Sequence, residues 1–162
     1  HTVCLNDSGV VFTFGSNRYG ELGIGKDREE IRSSSIPQKV NLPPIKGVSC
    51  GTFFTICLST DGNIYSFGLN EGGELGLGND INYNSPQQIP SLHDIDFVEC
   101  GNSITFCKSL ENEVYAWGSN YYGQLGLGNM DEQLEPVKCE DWPDDVVDIK
   151  CGDNHTLVLT SN

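Results

Sequence analysis

Features that define several other protein classes are scarce in this sequence. Its 162 residues include a single methionine, and no apolar run approaches the ~18 residues that a membrane-spanning helix needs. The chain begins with His1 instead of methionine and shows no basic-then-apolar signal sequence, so we expect it to be a piece of a longer protein. Positive charge is also scarce, because 9 lysines and arginines face 23 aspartates and glutamates, giving a net charge of −14.

The acidic charge bears on the choice of partner. A surface of this sign repels phosphate backbones and gains little from counterion release, so we expect this chain alone not to bind nucleic acid. A basic protein surface would be attracted, although the same charge can equally serve solubility.

Metal and disulfide patterns are missing despite seven cysteines. There is no Cys-x-x-Cys, and the histidines complete no zinc spacing. Six cysteines fall at two repeated positions, Cys50, Cys100 and Cys151 at one and Cys4, Cys57 and Cys107 at the other. The second position holds Val158 in a fourth copy, which is typical of a small buried apolar site. We therefore predict free structural thiols, no metal or cofactor, and a reducing compartment, the cytosol or nucleus.

A 14-residue motif occurs three times and dominates the sequence. It reads aromatic, small, aromatic, Gly, any, Asn, two variable residues, Gly, Glu/Gln, Leu, Gly, Ile/Leu, Gly, at residues 12–25, 65–78 and 115–128. Both this motif and a Cys-Gly pair recur with a period of about 51 residues. We therefore divide the chain into repeats 1–53, 54–103 and 104–154, with the start of a fourth repeat at 155–162.

Each repeat is predicted to form four β-strands. The first two strands are expected at residues 2–5 and 11–14 and their equivalents, and the Asp61-Gly62 pair favours a tight hairpin between them. The second strand alternates large aromatics on one face with small residues on the other, so stacked sheets would pack aromatics against small residues. The third strand is expected to start at Pro37, Pro86 and Pro136 and to lie at an edge. The fourth is expected at residues 48–50, 98–100 and 149–151. Four strands per period predict the blades of an all-β propeller.

The glycine-rich run could be mistaken for a phosphate-binding loop. Such a loop lies between a strand and a helix, whereas here strands are predicted on both sides of every copy, so we interpret the glycines as turn residues. Asn17, Asn70 and Asn120 are expected to bond the local backbone. His1 and His155 share a position with Phe54 and Ile104, so we expect buried, hydrogen-bonded histidines. No catalytic constellation is recognisable.

The repeats resemble those of the regulator-of-chromosome-condensation family, in the run Trp/Phe-Gly-x-Asn-x-x-Gly-Gln/Glu-Leu-Gly-x-Gly and in Cys-Gly-x-x-His-Thr at residues 151–156. Departures are few: Phe54 and Ile104 replace His, and Lys26 replaces the asparagine found at Asn79 and Asn129. The resemblance implies a seven-bladed propeller, of which this chain supplies about three blades, a partial propeller. The first blade would lack its innermost strand, and a fourth would have two strands. Either a longer protein or further copies of the chain would then complete the ring.

Two functions are compatible with this resemblance. One is a non-enzymatic scaffold whose rim loops bind a protein partner. The other is guanine-nucleotide exchange on a small Ran-like GTPase, which the resemblance implies for the founding member through an extended hairpin that has no obvious counterpart here. We expect contacts from loop 26–36, longer than its equivalents, and from the acidic segment 131–148 with an exposed Trp142. The candidate residues are Arg28, Glu29, Glu30, Arg32, Asp141, Trp142, Asp144 and Asp145.

Overall fold

The computed structural model describes all residues from His1 to Asn162 and consists of 13 β-strands joined by turns and loops. The strands are β1 Thr2–Leu5, β2 Val11–Ser16, β3 Ser33–Lys39, β4 Ile45–Cys50, β5 Phe54–Ser59, β6 Ile64–Gly68, β7 Tyr83–Gln88, β8 Ile95–Cys100, β9 Ile104–Ser109, β10 Val114–Gly118, β11 Gln133–Lys138, β12 Val146–Cys151 and β13 Thr156–Thr160. The structure has no helix with the length and apolarity needed to cross a membrane.

The strands form four antiparallel sheets, which we name A to D in chain order. Sheet A has the order β1-β2-β3, sheet B β4-β5-β6-β7, sheet C β8-β9-β10-β11, and sheet D β12-β13. Sheets are offset from the sequence repeats by one strand, since the last strand of each repeat pairs with the first strand of the next. Sheet A therefore lacks the strand equivalent to β4, and sheet D ends after two strands, as the repeat phase predicts.

The third strand of each repeat (β3, β7 and β11) lies at a sheet edge, as predicted, but it begins before its proline. Strands β3, β7 and β11 start three or four residues earlier than the sequence indicated. In each case the register shifts opposite the glycine of the second strand, for example between the pairs Ser66↔Gln87 and Gly68↔Tyr83. Pro86 lies inside this irregularity, where its missing N–H removes no ladder bond, so pairing resumes beyond it. The fourth strands also begin earlier than predicted, at Ile45, Ile95 and Val146.

Packing between sheets follows the predicted match of large and small residues. The Phe67 ring of sheet B lies against Gly23 of sheet A, and the Trp117 ring of sheet C lies against Gly76 of sheet B. Both rings are fully buried. Phe14, the equivalent of Phe67 and Trp117, is only half-buried, because no sheet covers that face of sheet A. The fold is thus a stack of propeller blades with two uncovered ends.

Candidate protein-interaction surface

Strand alternation divides the connections between two opposite rims. The hairpin rim carries the loops 6–10, 60–63 and 110–113 and the inter-sheet connections 40–44, 89–94 and 139–145. The motif rim carries the long loops 17–32, 69–82 and 119–132 and the short turns 51–53, 101–103 and 152–155. Contacts along the hairpin rim confirm this grouping, since Leu110 N donates to Asp94 O and the Asn112 amide bonds Asp144 O.

The repeated asparagines are buried and hold the long loops closed. Asn120 Nδ2 donates to the carbonyls of Asn129 (3.0 Å) and Asp131 (3.1 Å), while its Oδ1 accepts the Leu125 amide. Asn17 and Asn70 make equivalent bonds. The predicted role of these residues in bonding local backbone is confirmed.

The Glu/Gln position of the motif is structural as well. Glu21, Glu74 and Gln124 are buried, and each side chain accepts a backbone amide two residues earlier. Their backbone carbonyls accept threonine hydroxyls from the next sheet, as from Thr105 to Glu74 at 3.0 Å. Burial raises the pKa of the Glu74 carboxyl above its ordinary value, partly offset by bonds to that carboxylate.

The histidines and cysteines depart in part from the buried sites predicted for them. His1 is half-buried and its Nε2 lies 2.9 Å from Thr55 Oγ1, whereas His155 is exposed because no further sheet covers sheet D. Four cysteines are buried and Cys151 is half-buried, but Cys4 and Cys50 are exposed at the open side of sheets A and B. All seven are free thiols. Burial raises the pKa of Cys139 to about 12, which makes its thiolate scarce. No group of three or more His, Cys, Asp or Glu side chains is placed to hold a metal ion.

The two segments predicted to contact a partner lie on opposite rims. Residues 33–36 of the predicted loop 26–36 belong to β3, and the remainder forms a compact turn on the motif rim. Asp27 Oδ1 accepts the amides of Glu29 (3.0 Å) and Glu30 (3.2 Å) and so fixes this turn. Within segment 131–148, residues 133–138 form β11, and the acids from Glu140 to Asp145 lie on the hairpin rim.

Trp142 is half-buried, which corrects the expectation of an exposed ring. Its indole packs against Phe106 with ring centroids 5.4 Å apart, and Nε1 donates to Gly126 O at 3.1 Å. Gly126 is the equivalent of Gly23 and Gly76, which contact aromatic rings of the following sheet. Sheet D carries no such ring, and Trp142 occupies the place beside this glycine. Asp145 is also engaged, since its Oδ2 accepts the Ser161 hydroxyl at 3.0 Å.

Charge is distributed unequally between the rims. The hairpin-rim loops contain no lysine or arginine. Their acidic residues are Asp7, Asp61, Asp94, Glu111, Glu113, Glu140, Asp141, Asp144 and Asp145. All three arginines of the chain, Arg18, Arg28 and Arg32, lie on the motif rim.

Sequence reasoning missed several residues that lie at the surface of the motif rim. Arg18 and Tyr19 occupy the two variable positions of the motif, which hold Tyr121 and Tyr122 in the third copy. The two tyrosines are 78% and 71% exposed. The signal was present, since these positions vary inside an otherwise fixed motif.

Comparison with known proteins agrees with this architecture of repeated antiparallel blades, which defines a β-propeller built from sequence repeats. The family model described as "Regulator of chromosome condensation (RCC1) repeat" matches residues 8–58, 61–107 and 111–159. The chain belongs to this family.

Relatives and solved structures extend beyond this chain. Mouse protein RCC2 is 31% identical over 99% of the chain, but the chain spans only 26% of that relative. The structure of human WBSCR16 superposes with a TM-score of 0.85 at 22% identity, over 99% of this chain and 42% of the other. Prp20p from Saccharomyces cerevisiae gives a TM-score of 0.88 at 20% identity, over 96% and 40%. The chain is therefore a partial propeller of about three blades.

Proposed function

We propose that the chain is a non-enzymatic scaffold that binds a protein partner through its rim loops, within a larger protein. The observation that carries this proposal is how the repeated and the variable residues are used. The repeated polar groups, such as Asn120 and Thr105, are bonded inside the blades. Exposed charge and exposed aromatics belong to rim positions that differ between repeats, which leaves them free for recognition.

The candidate residues divide into two surfaces. Arg28, Glu29, Glu30 and Arg32 form one on the motif rim, and Asp141, Asp144 and Asp145 form the other on the hairpin rim, beside Trp142. The two surfaces lie on opposite rims, so each is altered by its own variant. The acidic hairpin rim favours a basic protein surface.

The test is affinity capture from cells, with the full-length protein and two charge-reversed variants. Asp141→Lys/Asp144→Lys alters the hairpin rim at exposed side chains, and Asp145 is spared because it bonds Ser161. Arg28→Glu/Arg32→Glu alters the motif rim. We expect one variant to lose a partner that the other retains, with the same thermal unfolding as the parent. Identical partner sets for all three proteins would contradict the proposal.

Guanine-nucleotide exchange on a small Ran-like GTPase is the second candidate. It is supported by the likeness to Prp20p, whose structure is reported together with its binding properties to Gsp1p and histones. Against it, residues 26–32 form a compact turn and not an extended hairpin. The test is release of a fluorescent guanine nucleotide from a panel of small GTPases by the full-length protein. Catalysed release from any one of these GTPases would favour exchange. If no GTPase in the panel shows catalysed release, the scaffold function is favoured.

A cytosolic or nuclear location belongs to the same proposal. Seven free thiols support it, and so does the name of the matching family, which refers to chromosome condensation.

A further inference from the structure

All three arginines of this acidic chain line one groove on the motif rim. The groove encloses about 510 Å³ between Arg18, Tyr19, Arg28, Glu29 and Arg32. A chain with a net charge of −14 thus presents its only guanidinium groups at a single place.

The backbone that carries the arginines is fixed by buried bonds. The side-chain Nδ2 of Asn17 donates to the carbonyls of Lys26 (2.9 Å) and Ile31 (2.8 Å). The backbone N of Asn17 donates to Arg32 O at 2.9 Å. These bonds join both ends of the loop, so Arg18 and Arg32 start from neighbouring backbone. The groove is therefore preorganised at the level of its main chain.

An aromatic pair supports the side of the groove. The rings of Tyr19 and Phe53 lie 5.1 Å apart at 51° to each other. Phe53 belongs to the turn between β4 and β5, so the wall connects sheet A with sheet B. Arg18 and Arg32 also line an adjoining hollow beside Phe53.

Two of the three guanidinium groups have no anionic partner. Neither Arg18 nor Arg32 forms an ion pair within the structure, although acids outnumber bases in the chain. Arg28 Nε lies 3.0 Å from Glu29 Oε1, and both side chains are mostly exposed. Such a surface pair is weak and exchanges readily for a stronger anion.

The corresponding place between sheets B and C has the opposite charge. Glu71 stands where sheet A has Arg18, and Glu132 lies beside Gly72 of the same loop. Repeat geometry alone therefore does not create a cationic groove, and its arginines are specific to the first repeat.

We propose that this arginine groove binds a phosphorylated side chain on a peptide segment of the partner. The proposal rests on the scaffold function. A phosphate ester carries about −1.5 to −2 charges and three acceptor oxygens, so it can engage several guanidinium groups at once. A carboxylate carries one charge and two acceptor oxygens, so it attracts a cluster of guanidinium groups less strongly than a phosphate does. Asp27, Glu29 and Glu71 lie beside the arginines and oppose any phosphate, but an extended nucleic-acid backbone would also meet the rest of this acidic surface.

The experiment measures binding of fluorescent peptide libraries to the full-length protein. Three degenerate libraries differ only in a central phosphoserine, serine or glutamate. We expect retention of the phosphoserine library and at least about tenfold weaker binding by Arg18→Gln/Arg32→Gln. Lys39→Gln/Lys46→Gln is the matched control, since it removes two exposed positive charges elsewhere, and should change affinity less than about twofold. Thermal unfolding of each variant establishes that it is folded.

Each other result overturns the proposal. Equal binding of the glutamate library would identify a carboxylate site, and equal competition by single-stranded DNA or RNA would identify a nucleic-acid site. If the phosphoserine library does not bind, the groove does not have the proposed role. The same follows if the lysine variant loses as much affinity as the arginine variant. Failure of this proposal is distinguishable from failure of the scaffold function. If Asp141→Lys/Asp144→Lys loses a partner, and the parent protein still binds that partner after phosphatase treatment, the scaffold function is supported and phosphate recognition is not.

Discussion

At the residue scale, close contacts between glycines and rings define how the sheets stack. A Cβ atom built on Gly23 would lie 2.5 Å from the Phe67 ring, and one built on Gly76 would lie 2.8 Å from the Trp117 indole nitrogen. Trp117 Nε1 also donates to Glu74 O at 2.8 Å across the sheet boundary. Glycine at these positions is therefore a packing requirement between sheets.

A paired substitution separates this packing requirement from backbone strain. Gly23 and Gly25 both have positive φ, +65° and +71°, but nothing lies within 4 Å of a Cβ on Gly25. We expect Gly25→Ala to cost about 1 kcal/mol from conformation alone. Gly23→Ala should cost about 3 kcal/mol, because overpacking against Phe67 adds to the strain. Urea unfolding of both variants measures the difference, and equal costs would contradict the stacking account.

The buried carboxyl of Glu74 predicts a pH-dependent stability. Burial favours its neutral form, so its folded-state pKa lies above the value of 4.5 expected in the unfolded chain. The neutral Glu74 carboxyl therefore stabilises the folded state. This stabilisation is complete below the unfolded-state pKa and is lost as pH rises through the raised folded-state pKa. Glu74→Gln stays neutral and matches Gln124, so we expect its stability relative to the parent to increase as pH rises from below 4.5 through the raised folded-state pKa.

The exposed neighbour Glu71 supplies the control for this titration. Glu71→Gln removes the same charge from the same loop but from a solvated side chain. Comparing the two variants separates the effect of burying the carboxyl from the effect of removing one negative charge. A Glu74→Gln profile parallel to that of the parent would show that burial does not govern this carboxyl.

At the scale of elements, each long loop depends on one asparagine. Asn120→Ala would leave the carbonyls of Asn129 and Asp131 and the Leu125 amide without their bonds. We expect a loss of about 3 kcal/mol, since unsatisfied buried groups cost about 1–3 kcal/mol each. Hydrogen exchange should increase throughout loop 119–132.

Asn129→Lys is the control for this loop, because Lys26 occupies the equivalent position in the first repeat. We expect it to retain the exchange protection of loop 119–132. Equal exchange in the Asn129→Lys and Asn120→Ala proteins would argue against the central role of Asn120.

The sequence predicted elements well where side-chain chemistry repeats. Alternation in β2, β6 and β10 revealed which faces pack, and the phase of the repeat predicted the incomplete first and last sheets. Strand starts failed at Pro86 and its equivalents, because a register shift accommodates the proline and no residue type announces it. The position of Trp142 depends on Phe106 and Gly126, which are distant in sequence. The arginine groove also escaped prediction, because its arginines are spread over a loop whose closure only the structure reveals.

At the scale of the whole molecule, the two ends of the stack expose apolar surface. Leu157 and Leu159 of β13 are 65% and 59% exposed, whereas their equivalents Ile56 and Leu58 in β5 are buried. Two copies joined end to end would bring β12 and β13 to β1, β2 and β3, five strands for a four-stranded sheet. End-to-end pairing of two copies would therefore leave one strand in excess.

This strand count predicts the behaviour of residues 1–162 expressed alone. We expect concentration-dependent association through the exposed ends without a defined closed species, because large apolar faces seek cover. Sedimentation velocity across a range of concentrations measures it. A single sharp species with the mass of two chains would show that copies complete the ring.

The central claim is that repeated residues build the blades whereas non-repeating rim residues bind the partner. A saturation mutagenesis library of the full-length protein, scored for cellular abundance and for binding to the captured partner, tests it most directly. We predict that substitutions at repeated positions such as Asn70 and Trp117 lower binding only in proportion to abundance. Substitutions on one rim should lower binding at full abundance. Loss of binding at full abundance concentrated in the repeated positions would contradict the account.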